Sequence, residues 1–205
     1  MHLIVGLGNP GQQYSNTRHN AGFLALERLA SRRGFDPPVH FKSSLISKGR
    51  LEGRPVVLAW PQTYMNLSGQ AVQELASFYK ITGEDILVLH DEMDLEPGRI
   101  KLVYGGGTAG HKGLSSILAN LRQDFGRLKI GIGRPPKEIF TNGNVDYVLG
   151  RFLDFEWPAV DASLDEAAEA TAEWVREGLT KAQNLINRRK KNIPADPPAP
   201  DSDHA

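Results

Sequence analysis

Four consecutive aliphatic residues, Ile86-Leu87-Val88-Leu89, constrain the fold of this chain more than any other feature of its sequence. The run is shorter than an ordinary helix, and no polar residue alternates with its apolar ones. Such a segment is typical of a central β-strand that is covered on both faces, as parallel strands in α/β proteins are. We therefore expect a sheet with helices packed on each side of it.

Other segments extend this pattern along the chain. Leu3-Ile4-Val5 and residues 128–132 predict further strands, whereas residues 20–34 and 113–121 have the apolar spacing of helices. Two strand-like segments flank the turn at residues 51–54, and such a hairpin requires antiparallel pairing. We therefore predict an α/β fold, with a single three-layer domain and a twisted, mixed and mostly parallel sheet flanked by helices.

Length and composition limit the alternatives. The 205 residues suit one medium domain, and the absence of cysteine excludes disulfides, thiolate metal sites and a cysteine nucleophile. Acidic and basic residues balance at 24 each, so net charge favours no class of partner. No apolar run approaches the ~20 residues of a membrane span, and a strand at the start leaves no room for a targeting peptide. We expect a cytoplasmic protein with a folded domain over 1–192 and a disordered Pro/Asp-rich tail over 193–205.

Three glycines after the first strand have the G-x-G-x-x-G spacing of dinucleotide-binding domains. They are Gly6, Gly8 and Gly11. That motif opens a helix directly, whereas residues 12–18 have no apolar face. The acidic residue expected about 20 residues later, at the end of a second strand, is also missing, because Asp36 precedes two prolines. A nucleotide-dependent oxidoreductase is therefore a minor alternative, and Asn9 becomes the residue of interest in this turn.

Five polar residues follow predicted strands or begin predicted helices, where α/β sheets place their sites. They are Asn9, His19, Asn66, Asp91 and His111. These residue types suit attack of water on an ester or amide, since a neutral histidine takes the proton, an aspartate orients it, and amides polarise the carbonyl. His19 stands at a helix start, where the dipole should lower its pKa. Alternation along the strand puts His90 and Asp91 on opposite faces, so only one of them should face the cleft.

Two other chemistries fit the sequence less well. A metal site would gather His90, Asp91, Glu92, Asp94 and His111. The i,i+4 spacing of His90 and Asp94 suits a helix, however, and the preceding apolar run predicts a strand. No serine lies in a G-x-S-x-G elbow, so a covalent acyl-enzyme has little support. We expect hydrolysis without a metal ion or another cofactor.

Several longer motifs identify a resemblance. They are Gly6-Leu7-Gly8-Asn9-Pro10-Gly11, Thr17-Arg18-His19-Asn20-Ala21-Gly22 after Tyr14, Thr63-Tyr64-Met65-Asn66-Leu67-Ser68-Gly69, His90-Asp91-Glu92-Met93-Asp94-Leu95 and Lys129-Ile130-Gly131-Ile132-Gly133. In this order, from about residue 2 to residue 187, the chain resembles the bacterial peptidyl-tRNA hydrolase family. The resemblance implies a metal-free monomer, without a membrane or an obligate protein partner. It would hydrolyse the ester between a peptide, or an N-blocked aminoacyl group, and the 3′ ribose of tRNA, and so recycle tRNA from prematurely released peptidyl-tRNA.

The resemblance also implies a role for each site residue. His19 would be the base that activates water, Asp91 would orient it, and Asn9 would complete the catalytic set. Asn9 and Asn66 would position the peptide and its carbonyl. The residues implied to bind substrate are Tyr14, Met65, Asn66, His111 and Lys112.

The sequence departs from the family pattern in its glycine loop. Lys112 stands where the family usually has an asparagine, and Thr108 replaces a histidine. An amide donates and accepts hydrogen bonds, whereas an ammonium group only donates and brings a charge. A non-catalytic RNA-binding relative of the same fold therefore remains the alternative function.

Basic residues on or beside the strands near the proposed cleft predict the RNA face. They are Arg99, Lys101, Arg127, Lys129 and Arg134. Solvated surface charge is the ordinary interpretation of such residues, but the resemblance favours a patch that binds phosphate. We predict Lys101, Lys129 and Arg127 as the contacts to tRNA phosphates.

Overall fold

A computed structural model describes residues 1–135 and 144–188. The strands in these ranges are β1 (His2–Gly6), β2 (Val39–Phe41), β3 (Ser44–Leu51), β4 (Arg54–Pro61), β5 (Ile86–Glu92), β6 (Ile100–Tyr104) and β7 (Gly126–Gly131). The α-helices are α1 (Ala21–Arg32), α2 (Ser68–Tyr79), α3 (Lys112–Leu121), α4 (Asn144–Leu149), α5 (Trp157–Glu177) and α6 (Leu179–Asn187). The predicted domain boundary at 192 and the tail over 193–205 lie outside the described residues.

The strands form one sheet in the order β2-β3-β4-β1-β5-β7-β6. Strands β4, β1, β5 and β7 pair in parallel in the centre. Strand β3 pairs antiparallel with β2 and β4, and β6 pairs antiparallel with β7. Positive φ values at Glu52 (49°) and Gly53 (76°) close the tight turn between β3 and β4. The mixed, mostly parallel sheet predicted from the sequence is confirmed.

Helices cover both faces of the sheet, each over its own apolar core. Helices α1 and α5 pack together on one face, where Leu26, Leu87 and Trp174 belong to one core. Helices α2 and α3 pack together on the other face, where Val88 and Ile117 belong to a second core. Because Leu87 and Val88 are neighbours in β5, the strand is covered on both sides, as its aliphatic run predicts. The three-layer architecture is confirmed.

Strand β5 is longer than its aliphatic run, and this extension carries polar side chains into the protein interior. The strand ends at Glu92, and His90, Asp91 and Glu92 are all buried. Burial of a charged group is costly unless it is paired or hydrogen-bonded. The two carboxylates therefore require partners from other elements, and His19, His111 and Lys129 supply them.

The glycines after β1 serve close packing of α1 against the sheet. A Cβ atom at Gly6 would lie 2.5 Å from the carbonyl oxygen of Gly22, and one at Gly8 would lie 2.6 Å from Cγ of Phe23. Residues 12–14 form a single 3₁₀ turn, whereas a dinucleotide motif opens an α-helix at this point. The glycine spacing thus has a packing cause that does not involve a nucleotide.

The last two helices close the far edge of the sheet. Helix α5 ends at Glu177, because the next residue, Gly178, has a φ of 76°, and α6 then packs on β6. The Asn187 amide accepts a hydrogen bond from the Leu102 N–H (2.9 Å) and donates one to the Leu102 carbonyl (2.8 Å), so it occupies the place of a neighbouring strand. Within residues 1–135 and 144–188, none of the helices has the length and apolar content that crossing a membrane requires.

Candidate active site

A cavity of about 440 Å³ opens at the carboxyl ends of β1 and β5. The segment after β4, residues 108–111 and helix α4 contribute its walls, the last through Val145 and Leu149. Seven of the eight residues predicted to catalyse the reaction or bind substrate line this cavity. They are Asn9, His19, Met65, Asn66, Asp91, His111 and Lys112. The fold therefore brings together side chains from widely separated parts of the chain.

His19 and Asp91 form a hydrogen-bonded pair in the cavity. His19 lies in the 3₁₀ turn directly before α1, and its Nδ1 is 2.9 Å from Oδ1 and 3.1 Å from Oδ2 of Asp91. A carboxylate only accepts hydrogen bonds, so Nδ1 carries the hydrogen and Nε2 is left as an acceptor. This is the tautomer that a general base requires.

His111 holds the same carboxylate from the opposite side. Its Nε2 lies 3.0 Å from Asp91 Oδ1, and its Nδ1 accepts hydrogen bonds from the backbone N–H groups of Gly113 (3.1 Å) and Leu114 (3.4 Å). Because a backbone N–H only donates, the hydrogen of the neutral ring is on Nε2 and points to Asp91. Both ring nitrogens are engaged by the protein, so this arrangement favours a positioning role over the substrate contact that the resemblance implies.

Contacts among His19, Asp91 and His111 shift the pKa values of His19 and Asp91. Burial would raise the pKa of Asp91, but the adjacent His19 and His111 hold it well below its usual value. Burial lowers the pKa of His19, whereas the charge and hydrogen bond of Asp91 raise it, and the result is a raised pKa. Lys112 lowers the pKa of His19 and so opposes Asp91. The expectation that the helix start lowers the pKa of His19 is wrong, because a carboxylate in direct contact outweighs it.

His90 also lines the cavity, although alternation along β5 predicted that only one of His90 and Asp91 would do so. Its Nδ1 donates to the backbone carbonyl of Asp91 (2.7 Å), and its Nε2 is buried with no partner among the described residues. Burial, with His111 nearby, lowers the pKa of His90 to about 3. The cavity reaches around the end of the strand, so side chains from both faces of β5 line it.

Asn9 presents its side-chain amide to the cavity in a fixed orientation. Its Oδ1 accepts a hydrogen bond from the Met65 backbone N–H (2.8 Å), so Nδ2 is the group left to bind a substrate. The Asn9 backbone N–H donates to Oδ1 of Asn20 (2.9 Å), and its carbonyl accepts from Nδ2 of Asn20 (3.0 Å). Sequence reasoning missed Asn20 as a site residue, and its position next to His19 was the available signal.

A buried ion pair anchors the α4 wall of the cavity. Arg18 is 1% exposed, and it donates to the Glu156 carboxylate (2.6 Å) and to the Arg151 carbonyl (2.8 Å). Its guanidinium also lies over the ring of Tyr147 in α4, 4.3 Å from the centroid. Sequence reasoning missed this arginine as well. Because His19 is its neighbour in the chain, one 3₁₀ turn carries both His19 and the arginine that anchors the α4 wall.

The predicted substrate-binding residues are not all placed at the cavity. Asn66 and Lys112 are exposed side chains of its lining, and Met65 is buried beside them. Tyr14 is not part of the lining that the described residues form. Its carbonyl accepts hydrogen bonds from the N–H (3.0 Å) and the hydroxyl (2.8 Å) of Thr17. Tyr14 therefore shapes the turn that leads to His19.

The donor set of the cluster fits hydrogen bonding better than a metal ion. His19, Asp91 and His111 each offer one ligand atom, and these atoms lie within 4.8 Å of one another. A metal-binding histidine normally donates its other N–H to an acceptor. Nδ1 of His111 instead faces two backbone N–H donors, so Nε2 carries a hydrogen and lacks the lone pair that a metal needs. Within the described part of the chain, Glu92 and Asp94 do not join this cluster.

Two of the predicted phosphate contacts lie side by side on the sheet. Lys101 in β6 is directly opposite Lys129 in β7. Lys101 is exposed and makes no ion pair with the described residues, whereas Nζ of Lys129 lies 2.6 Å from Oε2 of Glu92. The pair therefore presents one free positive charge and one that is partly compensated.

Arg127 is a correction to the predicted RNA face. It is 0% exposed, and its guanidinium donates to the carbonyls of Gly107 (2.7 Å) and Gly106 (2.8 Å). The glycine loop folds over this strand residue and covers it. Arg127 therefore holds the loop that leads to His111, and it is not available to bind RNA.

Comparison with known proteins agrees with the site. A family model described as Peptidyl-tRNA hydrolase matches residues 3–194. The chain belongs to the peptidyl-tRNA hydrolase family. A peptidyl-tRNA hydrolase from Mycobacterium sp. (strain KMS) is 49% identical over 189 residues, which cover 90% of this chain and 96% of the relative. One from Desulfitobacterium hafniense is 47% identical over 191 residues, covering 92% of this chain and all of the relative.

A solved structure extends the match to three dimensions. The crystal structure of peptidyl-tRNA hydrolase from Acinetobacter baumannii has a TM-score of 0.83 and 40% identity, covering 93% of this chain and 96% of that one. The resemblance to the peptidyl-tRNA hydrolase family is confirmed. The two departures from the family pattern, Thr108 and Lys112, both line the cavity.

Proposed function

We propose that this protein hydrolyses the ester that joins a peptide, or an N-blocked aminoacyl group, to the 3′ ribose of tRNA. The observation that carries this proposal is the pair of His19 and Asp91, which gives a base with a defined tautomer in an open cavity. Relatives that carry the name peptidyl-tRNA hydrolase match almost the whole chain. The biological role is then to recycle tRNA from peptidyl-tRNA that is released before translation ends.

Water is the nucleophile in this mechanism. No serine or cysteine is among the described residues that line the cavity, and the Thr108 hydroxyl accepts a hydrogen bond from Ser115 (3.0 Å). As the water oxygen bonds to the ester carbonyl carbon, Nε2 of His19 takes its proton. Asp91 stabilises the imidazolium that forms. When the tetrahedral intermediate collapses, the bond from carbon to O3′ breaks and His19 returns the proton to O3′, which gives a free peptide acid and tRNA.

The negative charge on the carbonyl oxygen needs a donor during this step. The free Nδ2–H of Asn9 supplies one, since its Oδ1 is already held by Met65. The ammonium group of Lys112 adds positive charge at the cavity wall. A donor of this kind contributes roughly 10²–10³-fold in rate when it is directed at the developing charge.

Lys101 and Lys129 are our proposed contacts to the phosphates of the tRNA. They lie opposite each other on β6 and β7, next to the strand that carries Asp91. A side chain that neutralises phosphate contributes to affinity in a way that falls with salt concentration. Lys101→Ala should therefore weaken tRNA binding and flatten its salt dependence.

We also propose that the enzyme acts in the cytoplasm as a monomer without an obligate protein partner. All of the side chains in the proposed mechanism come from a single chain, and the substrate is a product of translation. Light scattering of the purified protein with and without tRNA tests the monomer directly. A stable dimer would contradict it.

The decisive experiment is release of an N-acetylated amino acid from charged tRNA by the wild type, His19→Ala and Lys112→Asn. His19→Ala should lower hydrolysis by at least about 10²-fold, because the base is lost, and leave tRNA affinity nearly unchanged. Equal loss of hydrolysis and affinity would mean that His19 is structural.

Lys112 supports the second candidate, a non-catalytic RNA-binding relative. If the wild type is inert and Lys112→Asn is active, the chain has lost its chemistry through this residue. If all three proteins bind tRNA tightly and none hydrolyses it, the binding function replaces the enzyme.

A further inference from the structure

The strand order arranges the proposed substrate contacts in a line along one edge of the sheet. Lys101 and Lys129 lie on β6 and β7, Asp91 lies on β5, and Asn9 follows β1. In the proposed substrate, phosphate, ribose, ester and peptide also follow one another in a line. The edge continues past Asn9 to the ends of β4 and β3, where the peptide would be next in order.

A second cavity lies at that position. It has a volume of about 620 Å³ and is bordered by α1, by the chain after it and by the adjacent ends of β4 and β3. Asn9 lines both this cavity and the catalytic one, so the two are adjacent at that residue. We call the second cavity the β3–β4 groove.

The walls of the β3–β4 groove are largely apolar. Phe23 and Phe35 come from α1 and the chain after it, and Leu45 and Trp60 are opposite each other on β3 and β4. Small-molecule and peptide sites commonly combine such apolar walls with a few polar groups. Asn9 supplies a polar group at the junction with the catalytic cavity.

The charge of the β3–β4 groove excludes RNA as its occupant. Its ionisable lining residues are Glu27 and Asp36, and among the described residues no lysine or arginine lines it. Glu27 is an exposed residue of α1 that lines the groove, and partial burial of its carboxyl raises its pKa. Phosphates would be repelled here, in contrast to the edge that carries Lys101. An apolar peptide segment meets no such repulsion.

We propose that the β3–β4 groove binds the peptide chain of the substrate, beyond the residue that is esterified to tRNA, and favours apolar over acidic side chains. This inference rests on the proposed function, since it assigns the site of one half of the same substrate. The catalytic cavity holds the ester and the esterified residue. An extended chain that leaves it advances about 3.3–3.6 Å per residue, so the second and third residues pass Asn9 into the groove.

The test compares tRNAs that carry N-acetyl-leucine, an N-acetylated tri-leucine or the same tripeptide with glutamate at its two outer positions. The wild type should hydrolyse the tri-leucine ester with a kcat/KM about 10-fold above that of the single leucine, because an apolar side chain is buried. The glutamate peptide should lose this advantage.

Two variants locate the effect in the groove. Ser31 is an exposed residue of α1 at the groove wall, so Ser31→Trp fills it without disturbing the core. It should remove the preference for tri-leucine and leave hydrolysis of N-acetyl-leucyl-tRNA unchanged. Glu27→Gln should restore part of the rate on the glutamate peptide. Ser77→Trp places the same bulk on exposed α2 and should keep the wild-type preference.

Different results would contradict the proposed hydrolase function and the proposed peptide site. Absence of hydrolysis on all three esters would contradict the proposed function. Hydrolysis with no preference for the tri-leucine ester, or a preference that Ser31→Trp leaves unchanged, would overturn the groove as the peptide site and leave the hydrolase intact.

Discussion

Asp91 organises the site at the scale of single residues. Its carboxylate accepts hydrogen bonds from both His19 and His111, and this arrangement leaves one nitrogen free on His19 and none on His111. His19 therefore retains a nitrogen that can accept a proton, whereas His111, which contacts the same carboxylate, does not. The difference comes from the backbone N–H groups of α3, which engage His111 and have no counterpart at His19 among the residues that the structure describes.

Lys112 lowers the pKa of His19, the proposed base, and this gives a prediction for the pH profile. In the proposed mechanism His19 accepts a proton only when it is neutral, so activity should rise as pH increases through its pKa. Asp91 raises that pKa and Lys112 lowers it. Lys112→Asn should therefore raise the pKa further and move the acidic limb of kcat/KM to higher pH, whereas Lys112→Arg keeps the charge and should leave the limb near its wild-type position. The measurement is kcat/KM against pH for the three proteins, and an unmoved limb in Lys112→Asn would contradict the prediction.

At the scale of elements, the glycine loop between β6 and α3 depends on one buried side chain. Gly105 and Gly106 have positive φ values of 63° and 94°, a conformation that other residues adopt with strain. Arg127 bridges the carbonyls of Gly106 and Gly107 from beneath. The loop that ends at His111 is thus held at its base by β7, although its glycine-rich backbone has wide conformational freedom.

Removal of this arginine should loosen the loop and slow catalysis. Arg127→Met loses both hydrogen bonds, at a cost of about 1–3 kcal/mol in stability, and should speed amide hydrogen exchange across residues 106–111 while kcat falls. Arg50→Met is the matched control, because Arg50 also donates to a glycine carbonyl, in the turn between β3 and β4. Slower catalysis in Arg127→Met with unchanged exchange in the loop would argue against this role.

At the scale of the whole molecule, burial of a neutral histidine makes stability depend on pH. The pKa of His90 is about 3 in the folded protein, against an ordinary value of 6.5. Between these values the unfolded chain binds a proton that the folded protein does not, so stability falls as pH decreases through this window. His19 acts in the opposite sense, because its raised pKa adds stability as pH falls. The lowered pKa of Asp91 also stabilises the folded protein, and this stabilisation is lost only as pH falls below the ordinary carboxyl pKa of 3.8.

A variant separates the contribution of His90 from the others. Between about pH 7 and about pH 4.5, the unfolding free energy of the wild type should fall by about 3 kcal/mol more than that of His90→Asn. The reason is that asparagine at this position does not bind a proton. Urea unfolding of both proteins at the two pH values measures the difference. Equal losses would mean that His90 is accessible to protons in the folded state.

The architecture and most residues of the candidate site can be predicted from the amino-acid sequence alone. The aliphatic run of β5 predicted a strand covered on both faces, and the β3–β4 turn predicted the antiparallel part of the sheet. These features are local, because hydrophobic periodicity and turn chemistry act over a few residues. Family motifs then pointed to His19, Asp91 and Asn9, and the structure places all three at one cavity.

The chemistry available to each polar group in the cavity depends on contacts that form only in the folded protein. Arg127 and Lys101 belong to neighbouring strands and carry the same charge, yet a loop covers one and solvent surrounds the other. The pKa of His19 rises because a carboxylate 72 residues away in the chain lies within hydrogen-bond distance. Exposure, tautomer and pKa depend on groups that arrive from distant segments, and no local pattern in the sequence records which segments those are.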